Sequence, residues 1–277
     1  MIVIADGQTS VDISGWEPPE RDIYEEKHRS PTTYQYDSEG ALRFELRLRT
    51  AIVRAARDMQ NSAASFSSFK KSRCNAAYWT RTEDGGFKMR RDVQPAAAIR
   101  DIFSNGRAYA FECATAIIIV LYKAVLETIG DQKFNRLFTD LYLYSWEVDS
   151  DLRLITIAEK MLTYPGDILY FKNPDVDPEW MEWQGENVVK LGHDNYFGHG
   201  IGITNAAGII AKLNKHRKPG STKSAYMIDQ VTYPNFVYLY EAASSRVPIS
   251  LTALAWLPPE ARGRIVVKIG GRTNIYA

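Results

Sequence analysis

The stretch YAFECATAII, residues 109–118, decides how this chain is read. It sets Cys113 between Glu112 and a run of small and apolar residues that continues toward Gly130. An apolar run of that length, closed by glycine, predicts a buried helix over 113–129 with the cysteine in its first turn. Free cysteine is among the most buried residue types, so packing is the plainer reading of Cys113. Two local features weigh against it. The unpaired amides of a first helical turn, together with the helix dipole, stabilise a thiolate, and the thiolate is the reactive form. Glu112, set among apolar neighbours, must be paired, serve as a helix-terminus charge or work as an acid–base group. Cys74, in the polar KKSRCNAAY, has neither feature and reads as incidental.

A nucleophilic cysteine needs a base and an orienting partner. Candidates gather in WQGENVVKLGHDNYFGHGIGI, residues 183–203: Glu186, His193, Asp194 and His199. If ENVVKLG and YFGHGIGI are neighbouring antiparallel strands, Glu186 and His199 share one face. Gly198 and Gly200 flank His199 and let backbone approach a ligand closely. An edge-strand glutamate and a histidine hydrogen-bonded in a tight turn are the bland alternatives. His28 lies in a charged arm and His216 at a basic helix end, which leaves His199 as the strongest histidine candidate.

Outward from these blocks, MIVIA predicts a strand and the Pro-rich, charged stretch up to Tyr36 an irregular arm. Phe44, Leu48, Ile52, Ala55 and Met59 share a helical face, which predicts a helix from near Ser38. A second helix is expected over 62–71, then a hairpin around EDGG (83–86) and a helix from Pro95 to Asn105-Gly106. Residues 131–140 read as a helix and LYLYSW as a strand. DILYF, ENVVKLG and YFGHGIGI read as strands in close succession, followed by a helix capped at Thr204 or Asn205. The remainder mixes FVYLYEA, ISLTALAWL and RIVVKIGG, read as one or two helices and a strand. Helices first and strands after suggest a single α+β domain over 1–277, its irregular arm at 1–36 and a C-terminal extension at 233–277.

The bulk numbers narrow the function classes. At 277 residues and 45% hydrophobic the chain can bury a sizeable core. Its net charge of +1 offers no bulk field to nucleic acid or membrane. The start, MIVIADGQTS, lacks the basic n-region of a signal peptide, so synthesis in a reducing cytoplasm is expected. The longest apolar run, 116–122, is too short to span a bilayer. Two cysteines make no disulfide framework, and no Cys/His or acidic-loop spacing suggests a metal, so no cofactor is expected.

The blocks AIRDIFSNGRAYAFECATAIIIVLYKAVLETIGDQKF and DILYFKNPDVDPEWMEWQGENVVKLGHDNYFGHGIGI resemble the protein-glutamine gamma-glutamyltransferases of bacterial spore coats. The resemblance runs from about Phe44 to Gln230. It implies a small calcium-independent transglutaminase with a papain-like core, related to cell-wall cysteine endopeptidases. By motif it makes Cys113 the nucleophile, with Glu186, Glu112 and His199 as its catalytic neighbours. Phe69, Trp146, Tyr170 and Trp183 match positions that line a substrate tunnel in the family. The reaction it implies joins protein glutamine to protein lysine through a cysteine thioester, with spore-coat proteins as partners and the spore surface as location. A cysteine endopeptidase on the same fold and a non-enzymatic coat protein are the alternatives.

Overall fold

The computed structural model describes residues 1–5, 7, 9–158 and 162–244, and the backbone of two strands at 265–269 and 272–276. The chain divides into two compact units, Met1–Leu48 with Pro234–Ala277, and Arg49–Tyr233.

In the first unit MIVI forms β1 (Ile2–Ile4). The stretch expected to be irregular contains a helix, α1 (Glu20–Arg29), and a strand, β2 (Tyr34–Tyr36), which pairs in parallel with β1. The charges of ERDIYEEKHR mask a helical face: Ile23, Tyr24 and Lys27 are buried together, with acids in the first turn and bases in the last. Lys27 is buried because its ammonium meets Glu45 at 2.5 Å, while Tyr36 donates to the other carboxylate oxygen at 2.9 Å. Glu45 lies on α2 (Glu39–Asn61), whose first residues belong to this unit and whose remainder belongs to the second.

The second unit opens with β3 (Ser65–Phe66) and a 3-10 turn at Phe69–Lys71, where the sequence suggests a helix. Pairing with a strand remote in sequence makes Ser65–Phe66 extended, which local sequence does not reveal. The hairpin β4 (Trp79–Arg81) and β5 (Phe87–Met89) forms as expected, as does α3 (Pro95–Ser104). β6 (Ala110–Phe111) is that remote partner, pairing in parallel with β3. Next comes α4 (Cys113–Ile129), buried from Cys113 through Tyr122 and again over Ala124, Val125 and Leu126. Each large aliphatic side chain buried there contributes about 1.5–3 kcal/mol. Gly130 ends α4 and α5 (Asp131–Leu137) follows, with β7 (Tyr142–Leu143) added to the β4–β5 hairpin.

The strands β8 (Leu154–Ala158), β9 (Ile168–Lys172), β10 (Gly185–Gly192), β11 (Asn195–Gly198) and β12 (Gly202–Thr204) come next. After them stand α6 (Ala206–Asn214), capped by the Asn205 side chain, β13 (Tyr226–Met227) and β14 (Gln230–Pro234). The sheet order is β12-β11-β10-β9-β14-β8, with β13 also on β9. YFGHGIGI, expected as one strand, is broken between β11 and β12, so His199 sits at a turn. Gly200 takes φ +98° there, a conformation glycine adopts freely, and a Cβ at this position would crowd the Phe66 ring at 2.7 Å.

In the first unit again stand α7 (Phe236–Ser244) and the antiparallel pair β15 (Ile265–Ile269) and β16 (Arg272–Tyr276). The helix or strand expected for ISLTALAWL lies outside the described residues. The architecture is α+β, as the order of elements suggests.

Candidate active site

α4 starts at Cys113 because Glu112 caps it. Glu112 is extended, and its Oε1 accepts the Thr115 main-chain N–H at 3.2 Å, one of the amides a helix start leaves unpaired. Oε2 then faces the thiol, with Cys113 Sγ donating across 3.4 Å. The register of the sheet brings the opposite wall. Asn187 on β10 stands across from Tyr170 on β9, and its Nδ2 donates to Cys113 Sγ at 3.7 Å.

Burial dominates the electrostatics. Cys113 and Glu186 are 5% and 1% exposed, so both resist ionisation. The thiol is pushed well up by burial and then by the charges of Glu186 and Glu112, while the amides of Asn187 pull it down. Glu186 is raised well above the carboxylate range by burial and then by Glu112. Its Oε1 meets no hydrogen-bond donor among the described residues. Glu186 therefore favours its neutral form beside the thiol and the half-buried Glu112.

Glu186 and His199 come together, but not through the imidazole. The His199 main-chain N–H favours the Glu186 carboxylate, while the ring stacks on Phe111 at 4.9 Å and lies beside Phe66 at 6.1 Å. The parallel pairing of β3 with β6 puts those two phenylalanines opposite each other. Burial pushes His199 down to about 4, against the pull of the Ser65 and Phe111 backbone. Its Nε2 has no hydrogen-bond partner among the described residues. A ring so placed is neutral at pH 7.

Cys113, Glu112 and Asn187 open into a cavity of ≈ 1120 Å³, lined also by Phe69, Trp146 and Tyr170. Phe69 packs on Tyr144 at 4.5 Å, and Trp146 keeps 39% of its surface exposed. Trp183, the fourth aromatic expected in a tunnel, is not among the lining residues. It is buried, stacked on His216 at 4.4 Å and tilted against Phe66 at 5.3 Å. Of the remaining candidates, Asp194 accepts the Ala206 main-chain N–H at 3.2 Å beside α6, and neither it nor His193 lines the cavity. Asn187 is absent from the sequence candidates. The signal was present, since an amide inside the apolar run ENVV must find a partner. Among the described residues no group of three or more His, Cys, Asp or Glu is placed to hold a metal ion. No helix there is long and apolar enough to cross a membrane.

Residues 1–243 match the family model described as protein-glutamine gamma-glutamyltransferase. A protein of that name from Bacillus pumilus (strain SAFR-032) is 46% identical over 229 residues, covering 83% of this chain and 92% of that protein. Its counterpart from Bacillus cereus (strain G9842) is 42% identical over 243 residues, 88% of this chain and 87% of the relative. A solved transglutaminase from Geobacillus stearothermophilus, without its C-terminal extension, superposes with a TM-score of 0.71 at 53% identity. That match covers 76% of this chain and 100% of the other.

Proposed function

The chain belongs to the protein-glutamine gamma-glutamyltransferase family and is a transferase of that class, and from this premise we propose that Cys113 carries the acyl group as a thioester. The observation that carries the mechanism is the Glu112 carboxylate on Cys113 Sγ at 3.4 Å, beside a buried Glu186 that favours its neutral form. Glu112 takes the thiol proton as sulfur attacks the glutamine side-chain carbonyl carbon. Asn187 Nδ2 steadies the developing thiolate. The carbon–nitrogen bond breaks, Glu186 gives its proton to the departing ammonia, and the glutamate pair again holds one proton. A neutral lysine amine then attacks the thioester and yields a proton to Glu186. Sulfur leaves and recovers its proton from Glu112, which completes an ε-(γ-glutamyl)lysine bond and restores the resting state. His199 acts through its main chain, which positions Glu186.

Phe69, Trp146 and Tyr170 form the wall that excludes water from the thioester, whose hydrolysis would only deamidate glutamine. Turnover is proposed to need no calcium, a reading supported by the absence of acidic-loop spacing in the sequence. The proposed substrates are spore-coat proteins at the spore surface, which the likeness of the two long sequence blocks supports.

The test is amine incorporation into a glutamine-bearing protein, with ammonia release, for wild type, Glu112→Gln, Glu186→Gln and the double variant. Each single variant should keep part of its activity, and the double should fall well below the product of the two losses. A double variant that stays active while His199→Ala is dead would transfer the base to the imidazole.

A further inference from the structure

Thr115 is buried in the first turn of α4 and is used by none of the chemical steps above. Its main-chain N–H donates to Glu112 Oε1 at 3.2 Å, and its hydroxyl reaches the same oxygen at 3.5 Å. The hydroxyl oxygen also accepts the main-chain N–H of Ser145 at 3.0 Å. A threonine hydroxyl has one hydrogen and two lone pairs, so it can do both at once. The Ser145 N–H therefore aligns the hydroxyl, the hydroxyl holds Oε1, and Oε2 is left facing the thiol.

Ser145 is an unusual partner. It takes φ +49°, a left-handed conformation that non-glycine residues adopt rarely. The turn is closed by the bridge of Tyr144 with Glu147, and between them stands Trp146 on the cavity wall. The single hydroxyl of Thr115 thus joins the carboxylate at the thiol to the turn that carries an exposed aromatic of the wall.

We propose that Thr115 is a positioning residue whose side-chain hydroxyl locks Glu112 toward Cys113 and couples that orientation to the Trp146 turn. This rests on the reading of Glu112 as the thiol's proton acceptor. A substrate that presses on the Trp146 turn acts on Glu112 through two hydrogen bonds. The other titratable groups around Glu112 are Cys113 on α4, Glu186 on β10 and Tyr170 on β9, with Lys70 and Glu182 also on the cavity wall. None of these is bonded to Thr115, so its substitution changes their alignment and not their number.

The experiment compares Thr115→Val, Thr115→Ala and Thr115→Ser in the full chain, with Glu112→Gln as reference. It reads kcat and KM for amine incorporation and the pH profile of Cys113 alkylation by iodoacetamide. Thr115→Val should lose on the order of 10-fold in kcat, the worth of one hydrogen bond to a charged group. KM for the glutamine substrate should change little, the alkylation profile should move toward that of Glu112→Gln, and Thr115→Ser should recover most of the loss. If Thr115→Val does not fold, the Ala and Ser variants still differ by one oxygen atom and carry the same comparison.

Equal kcat and equal profiles with and without the hydroxyl, while Glu112→Gln is impaired, would overturn the proposal and leave the role of Glu112 standing. A Ser variant as impaired as Val or Ala would overturn it too, since side-chain shape would then matter and not the oxygen. A Glu112→Gln enzyme with wild-type turnover would remove the underlying reading, and the proposal with it.

Discussion

His199 shows how one residue's surroundings set a measurable property of the whole protein. Its ring lies between Phe66 and Phe111 and titrates at about 4, while an unfolded histidine titrates near 6.5. Between those values the unfolded chain binds a proton that the folded chain refuses, so stability falls as pH falls. The contribution is complete above 6.5 and is lost on the way down to 4, on the order of 3 kcal/mol in all. His199→Phe should therefore flatten the acid limb of the urea midpoint between pH 6.5 and 4; a limb as steep as in wild type would assign the loss to other groups. The two cysteines are separated by a simpler measurement. Cys74 lies outside the cavity, and burial lifts its thiol to about 11. Cys113→Ala should abolish amine incorporation with circular dichroism unchanged, and Cys74→Ala should keep it.

At the level of elements, the site depends on how closely β9 and β10 approach. A Cβ on Gly185 would stand 2.6 Å from the Phe171 carbonyl and overlap the Tyr170 phenol, so the backbone itself must move. Gly185→Ala should cost about 1–3 kcal/mol, read as a lower urea midpoint with the slope kept. The two tryptophans expected in the tunnel part company on the same reasoning. Trp146, on the turn after β7, lines the cavity, so Trp146→Ala should raise deamidation relative to crosslinking at nearly unchanged stability. Trp183, in the 3-10 segment Pro178–Trp183, is buried against His216 and Phe66. Trp183→Ala should cost about 3–5 kcal/mol and leave that ratio alone. The opposite pattern, with Trp183 controlling the ratio, would put Trp183 on the substrate path.

For the whole molecule, every residue lining the cavity falls between Ser68 and Thr232, inside the unit Arg49–Tyr233. The family match ends at residue 243, just before the end of α7 at Ser244. A chain ending at Ser244 should therefore still incorporate amines; an inactive but folded product would give residues 245–277 a part in turnover. Full activity in excess EDTA is expected of the intact chain. Activity lost on chelation and restored by added Ca²⁺ would count against a metal-free mechanism.

Local chemistry determined much of this by itself. The helix 113–129 between Glu112 and Gly130, the hairpin around EDGG, a cap at Thr204 or Asn205 and strands at DILYF and ENVVKLG were all legible, and the structure has Asn205 as the cap. Each depends on neighbours within a few residues: an apolar run, a glycine stop, a polar cap. The helix α1 was hidden because its buried face includes Lys27, whose partner Glu45 is 18 residues away. β3 was hidden because Ser-Phe acquires strand character only from β6, some 45 residues on. For the site, the sequence offered Cys113, Glu112, Glu186 and His199 as candidates, with bland readings beside them, and only the family resemblance gave them roles. It could not show that Asn187 would reach the sulfur, that the His199 ring would turn to Phe111, or that Trp183 would pack behind the wall. Those outcomes follow from sheet register and from the competition of buried side chains for space and partners, and only the tertiary structure decides them.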